Sequence, residues 1–121
     1  MDAFTKAYIT AMFFTELGED NLKDAGLPEI STELMEKIEK DCAEFQAKAG
    51  ELISDEFCHY KECPTIDYAG HDFWLTRNHH GCGFWEKHDW AEPASTKLTE
   101  LAHSFGQMDV YLGDDGKIYA M

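Results

Sequence analysis

The sequence is poor in basic residues and contains no long apolar run. Ten lysine and arginine residues stand against 24 aspartate and glutamate residues, which gives a formal net charge of −14. DNA, RNA and anionic membrane surfaces would repel such a chain, so they are disfavoured as direct partners. No apolar stretch approaches the roughly 20 residues that cross a bilayer. The composition instead favours attraction to a basic protein, a metal ion or a surface that normally receives DNA.

Further absences narrow the chemistry. The chain has no serine elbow, no phosphate-binding loop and no carboxylate metal motif, so we expect no cofactor and lean against an enzyme. An acid stands at position 2, and the apolar run 11–14 is too short for a signal peptide. We therefore expect a cytoplasmic protein with reduced cysteines, folded as a single domain over residues 1–121.

Hydrophobic spacing predicts a first helix over residues 2–17. Phe4, Tyr8 and Met12 recur at helical intervals along one face. Residues 18–30 contain glycine, asparagine and proline without periodicity, so we expect a loop there.

A second helix is predicted from a cap at Ser31 or Thr32 to about Ile53. Its apolar face steps by three or four residues through Met35, Ile38, Cys42, Phe45, Ala49 and Leu52. Residues 54–71 lack periodicity and read as a loop.

The second half of the chain indicates strands. DFWLTR (72–77) and CGFWE (82–86) are predicted to pair as one hairpin. A helix follows over 95–105, and MDVYL (108–112) and KIYA (117–120) form a second hairpin across GDDG. The predicted fold class is α+β: two N-terminal helices, then strand-strand-helix-strand-strand, with a small antiparallel sheet packed against helices.

The acidic residues fall into two groups. On the second helix, Glu33, Glu36 and Glu44 each precede a lysine by four residues, so those charges are partly neutralised. Acids without a near lysine occupy residues 16–29 and 51–72. Carboxylates at phosphate spacing can imitate DNA. We predict a partner-binding acidic patch, with solubility alone as the simpler alternative: Glu16, Glu19, Asp20, Glu29, Glu51, Asp55, Glu56, Asp67 and Asp72.

The stretch HDFWLTRNHHGCGFWE (71–86) is the second candidate site. Aromatic planes, the only arginine of the chain and several imidazoles could bind a nucleotide or a peptide carboxylate. The alternative for Arg77 is an intramolecular clamp to an acid such as Asp72, Glu86, Asp114 or Asp115. The predicted recognition surface of this hairpin consists of His71, Trp74, Arg77, Asn78, His80 and Trp85.

Cysteines and histidines allow two weaker hypotheses. The pair Cys58 and Cys63 with His59, followed by the His79, His80 and Cys82 cluster, has the ligand types of a zinc site but lacks C-x₂-C pairs. A thiol mechanism would pair Cys82 with His71 or His80. The simpler alternative makes Cys82 a small packing residue.

The motifs AGHDFWLTRN, HGCGFW and DVYLGDDGKIYAM together resemble a family of small acidic proteins encoded by tailed bacteriophages. That family carries a stretch of the form GHDFWLTRN-x-HG-x-GFWD and a closing Y-x-GDDG-x-IY segment. The similarity extends to the second helix. Here Cys82 stands where alanine is usual and Glu86 where aspartate is usual, which argues against a thiol mechanism.

The resemblance implies expression in the cytoplasm of an infected bacterium, and it carries no catalytic role. Small acidic phage proteins often inhibit host enzymes or defence systems, and DNA mimicry recurs among them. We therefore predict a binding protein that blocks the basic groove of a host nucleic-acid-handling or defence protein. The alternatives are a small-ligand module built on 71–86 and, less favoured, a metal-assisted enzyme.

Overall fold

The computed structural model describes residues 1–17 and 29–120, and helices dominate it. The predicted α+β arrangement with strand-strand-helix-strand-strand after the second helix is wrong. The described part contains, in chain order, α1 (Ala3–Leu17), α2 (Thr32–Ala49), a 3-10 turn (Gly50–Leu52), α3 (Thr65–Arg77), α4 (Ala94–Ser104), β1 (Val110–Leu112) and β2 (Ile118–Ala120).

The two periodic N-terminal segments form helices as predicted, but α2 ends at Ala49, before the predicted end at about Ile53, and a 3-10 turn follows it. The first helix lies within one residue of its expected bounds. Helix α2 begins behind Ser31, whose Oγ accepts the N–H of Leu34 at 3.2 Å, so the predicted cap is confirmed. Its buried face includes Ile38, Cys42 and Phe45, as the spacing indicated. The predicted loop over 18–30 falls largely outside the described residues.

The main correction concerns residues 65–77, which form helix α3 instead of a loop followed by a strand. Pro64 precedes the helix, and its carbonyl accepts the N–H groups of Asp67 and Tyr68 at 3.0 and 3.1 Å. Nearly every residue from Ala69 to Arg77 is buried. A helix that is covered on all sides shows no amphipathic period, so its run of apolar residues resembles a strand.

The segment predicted as the second strand, 82–86, forms turns that pack against the end of α3. The N–H of Phe84 donates to Oγ1 of Thr76 at 3.0 Å. Phe84 and Trp90 are both fully buried, and their rings meet edge to face at 5.1 Å between centroids. Two aromatic anchors and an isolated antiparallel bridge between Cys58 and Trp90 therefore fix this connection.

Helices α1 and α3 make the closest contact in the core. A methyl group added at Gly70 would overlap the carbonyl oxygen of Phe4, so only glycine allows this approach. Phe45 of α2 stacks on Phe73 of α3 at 4.2 Å. Tyr8 of α1 also packs against Phe73, at 5.4 Å. One aromatic cluster thus joins the first three helices.

The C-terminal hairpin is confirmed. Strands β1 and β2 are antiparallel, with Tyr111 paired to Tyr119 and Leu112 to Ile118. Gly116 has a φ of 83°, which the turn requires and which glycine adopts without strain. A parallel bridge from Ile30 to Ile118 attaches the hairpin to the residues before α2.

Arg77 is buried at the end of α3 and joins several parts of the fold. Its guanidinium donates to Oδ2 of Asp41 at 3.0 Å and to the hydroxyl of Tyr8 at 3.1 Å. It also donates to the carbonyls of Gly106 at 2.9 Å and Phe105 at 3.2 Å. Of the two sequence hypotheses for this arginine, the structure contains the intramolecular clamp, but the carboxylate partner is Asp41 and none of the four acids proposed from the sequence.

Within residues 1–17 and 29–120, no helix combines the length and the hydropathy that crossing a bilayer requires.

We predict that Arg77→Lys lowers the free energy of unfolding by about 3 kcal/mol, because an ammonium cannot reach four acceptors and a buried carboxylate loses its partner. Urea denaturation monitored by circular dichroism measures the change. Lys97→Ala, at an exposed position of α4, is the control and should stay within about 0.5 kcal/mol of the wild type. A similarly small change for Arg77→Lys would contradict the clamp.

Candidate functional site: the groove between α1 and α3

A groove runs along the outer side of the contact between α1 and α3. It contains two neighbouring cavities of about 450 Å³ each, which share Thr10 and His71. The first is also lined by Ala3, Lys6, Ala7, Tyr60, Cys63, Asp67 and Tyr68. The second is mainly apolar and is also lined by Ala11, Phe14, Thr15, Leu75, His80, Gly81 and Cys82.

His71 stands where the two cavities meet, and a buried carboxylate orients it. Nδ1 of His71 lies 2.9 Å from Oδ1 of Asp72, while the indole N–H of Trp90 donates to Oδ2 at 2.8 Å. The Asp72 side chain is 1% exposed, and that of His71 is 44% exposed. Because Nδ1 is engaged, Nε2 is the ring nitrogen left to meet a ligand.

The pKa of Asp72 is raised above its ordinary value of 3.8, chiefly by burial. The hydrogen bonds from His71 and Trp90 act in the opposite direction and favour the ionised carboxylate. Asp72 is thus a carboxylate kept at some cost in the interior, where its role is to hold the imidazole.

Aromatic rings continue from His71 along the first cavity. Tyr60 stacks on Tyr68 at 4.1 Å, and Tyr68 lies parallel to His71 at 5.7 Å. The Tyr68 hydroxyl donates to Oδ2 of Asp89 at 2.7 Å. Burial and this bond raise the pKa of Tyr68, so its hydroxyl keeps its proton. Neither tyrosine was among the site residues predicted from the sequence. The i, i+3 spacing of Tyr68 and His71 would place these two residues on one face of a helix.

The structure does not contain the predicted recognition hairpin. Trp74 is 0% and Arg77 1% exposed, so neither can meet a ligand at the surface. Asn78 bonds to the backbone of Trp74 and Met108, which closes the end of α3. Trp85 is exposed near Thr96, away from the groove. Of the six predicted residues, only His71 and His80 line a common cavity.

The residues of the predicted acidic patch lie in different parts of the structure and differ in exposure. Asp72 is buried and does not belong to any surface, which corrects its assignment. Asp67 is half-buried in the groove, while Glu19 and Asp20 lie outside the described residues. Glu29 sits beside β2, where its carbonyl accepts the N–H of Ile118. The remaining predicted members are exposed: Glu16, Glu51, Asp55 and Glu56.

The predicted zinc ligands are not gathered into one site. No three of Cys58, His59, Cys63, His79, His80 and Cys82 lie within coordinating distance of each other in the described parts of the chain. Cys42 and Cys58 are buried. A hydrogen bond to Glu86 and burial raise the pKa of the exposed Cys82 thiol, which lowers its thiolate fraction. Cys82 lines the second cavity together with His71 and His80, but the raised pKa of its thiol argues against thiol chemistry there.

Comparison with protein-family models, with curated proteins and with solved structures found no match. The geometry of the chain itself therefore carries the functional argument.

Because the pKa of Asp72 is raised, we predict that its contribution to the free energy of unfolding decreases as the pH rises. A carboxyl group with a higher pKa in the folded state stabilises the fold most when protonated, and that contribution is lost as pH rises from 3.8 through the folded-state pKa. The free energy of unfolding of Asp72→Asn minus that of the wild type should therefore increase from pH 4 to pH 7. Urea titrations of both proteins at several pH values test this. If this difference in the free energy of unfolding stays constant or falls with pH, burial does not raise the pKa of Asp72.

Proposed function

We propose that the chain is a small acidic binding protein that occupies the basic nucleic-acid-binding groove of a host protein. The observation that supports this proposal is an excess of solvent-facing carboxylates in residues 51–67. This segment, named here the acidic segment, holds five acids and one base. The acids are Glu51, Asp55, Glu56, Glu62 and Asp67, and the first four are exposed.

The single base of the acidic segment does not neutralise it. The ammonium of Lys61 donates to the backbone carbonyls of Cys58 at 2.7 Å and Asp55 at 3.4 Å. The carboxylate of Asp55 in turn accepts from the hydroxyl of Thr65 at the start of α3, which orders Asp55 against that helix. The carboxylates thus sit on an ordered surface whose field is negative.

The exposed face of α2 differs, because lysines accompany its acids. Lys48 lies 3.5 Å from Glu44, as predicted. Lys37 lies 3.6 Å from Asp41, and not at the predicted partner Glu33. The exposed Lys48–Glu44 pair contributes little stability. Both lysines reduce the negative charge of this face, although Asp41 itself is buried. The helix therefore offers a surface of similar acid content with weaker resemblance to a polyphosphate.

The resemblance to acidic phage proteins supports the cellular setting of this proposal. A host nuclease, polymerase or defence protein gains affinity for DNA by neutralising phosphates, and an ordered carboxylate surface can compete for the same cations. The infected bacterial cytoplasm is the compartment in which we place the interaction.

The proposal predicts a position-dependent charge effect. A triple variant, Glu51→Gln, Asp55→Asn and Glu56→Gln, should bind the host partner at least about tenfold more weakly and with a shallower salt dependence. The partner is identified by capture from bacterial lysate and then titrated at two salt concentrations. Duplex DNA should displace it.

The matched control removes the same number of charges from α2: Glu36→Gln, Glu39→Gln and Glu44→Gln. This variant should retain affinity within about twofold. Equal losses of affinity in both variants would show that only the net charge matters, and not its position. If DNA fails to displace the chain from its partner, DNA mimicry is contradicted.

The groove supports a second candidate function, the binding of a small ligand such as a nucleotide or a peptide carboxylate. The observation in its favour is the presentation of His71, by a buried Asp72, at the junction of two cavities. The ligand would meet Nε2 of His71 and the Tyr60–Tyr68 stack, instead of the buried Trp74 and Arg77.

We expect a nucleotide or short peptide to raise the melting temperature of the wild type, because only the folded state binds it. His71→Gln should abolish the shift. The control His103→Gln, at an exposed position of α4, should preserve it. Shifts of equal size in both variants would place the ligand outside the groove.

A further inference from the structure

One turn, residues 86–89, brings three possible metal ligands together. The N–H groups of Asp89 and Trp90 both donate to the carbonyl of Glu86 at 3.0 Å, which closes the turn. As a result the side-chain ligand atoms of Glu86, His88 and Asp89 all lie within 4.8 Å of one another. In residues 1–17 and 29–120 this is the one such trio of histidine, cysteine and acidic side chains.

The distances within the trio suit an ion better than direct hydrogen bonds. Nε2 of His88 lies 3.4 Å from Oε2 of Glu86 and 3.7 Å from Oδ2 of Asp89. Both separations exceed the usual 2.7–3.2 Å of an N–H···O bond. A tetrahedral ion with bonds of about 2.0–2.2 Å keeps its ligand atoms roughly 3.3–3.6 Å apart.

The two carboxylates are mostly shielded from solvent and Asp89 is held by a hydrogen bond, whereas the imidazole is exposed and can turn towards an ion. The side chains of Glu86 and Asp89 are 19% and 17% exposed, whereas that of His88 is 74% exposed. The Tyr68 hydroxyl, bonded to Asp89, is an outer-shell partner of the kind that orients metal-binding carboxylates. The buried rings of Phe84 and Trp90 anchor the turn at both ends.

The charge of the trio also favours a cation. Two largely buried carboxylates lie side by side, and Lys87 between them in sequence is directed to Glu92 at 2.8 Å. A divalent ion would neutralise both negative charges, while a neutral imidazole adds a third ligand without adding charge.

We propose that Glu86, His88 and Asp89 form a site for one divalent transition-metal ion, with zinc as its best match. One imidazole nitrogen and two carboxylate oxygens are ligands that zinc accepts, and three protein ligands leave a fourth position for water or another group. Magnesium and calcium prefer sites made of oxygen alone. This site is independent of the acidic segment, so either proposal can fail without the other.

Isothermal titration of metal-free protein with zinc chloride tests the site, with magnesium and calcium chloride in parallel. We expect one zinc ion per chain. His88→Ala should weaken binding at least tenfold, as the loss of a ligand should cost no less than the loss of an outer-shell partner. His103→Ala should leave affinity unchanged. Thermal melts without metal should coincide for all three proteins, because both histidines are exposed.

Three results would overturn the proposal. The first is absence of saturable zinc binding by the wild type, and the second is equal affinity in His88→Ala. The third is binding that disappears in Cys82→Ala but persists in His88→Ala, which would place the ion on the thiol. In a cobalt(II) titration, the d–d absorption of a tetrahedral site should appear in the wild type and be lost in His88→Ala.

Discussion

The buried guanidinium of Arg77 is the interaction on which the arrangement of the helices depends. A positive charge removed from water needs a partner for each of its donors, and here the partners come from separate elements. Asp41 belongs to α2, Tyr8 to α1, and the Phe105 and Gly106 carbonyls follow α4. None of these acceptors can move away without leaving the charge unpaired. The four helices are therefore held in one mutual geometry.

That geometry also creates the groove. Gly70 lets α3 approach α1 until its backbone meets that of Phe4. The next residue, His71, then falls at the edge of the contact, half exposed, while Asp72 turns into the core and bonds to Trp90. Trp90 is itself packed edge to face with Phe84, and these two residues flank the turn that carries His88. The orientation of the histidine in the groove and the shape of the 86–89 turn are thus determined by one set of buried aromatic contacts.

The sequence was informative where burial is one-sided. In α2 one face is apolar and the other charged, so spacing and the Ser31 cap predicted it, and GDDG predicted the terminal hairpin. Helix α3 escaped prediction because its second half is almost entirely buried: Phe73, Trp74 and Leu75 follow one another without a polar face. Burial also could not be predicted from the sequence at the groove between α1 and α3. The sequence shows that Asp72 is acidic, but it does not show that Asp72 is buried, because burial depends on tertiary contacts. A buried Asp72 orients His71 and cannot contact a partner protein.

The acids of the chain perform separable tasks because of where they lie. In the described residues, the two buried acids contact cations or donors of the fold: Asp41 contacts Arg77 and Lys37, and Asp72 contacts His71 and Trp90. The exposed carboxylates of the acidic segment carry no comparable contact with the core, so removing their charge should cost little stability. The acidic segment thus has five acids and one base, although the fold does not need their charges. Self-repulsion makes such an excess unfavourable for a compact chain, and a cationic partner would relieve it. The distribution of charge, more than its total, is therefore what favours a binding function for this protein.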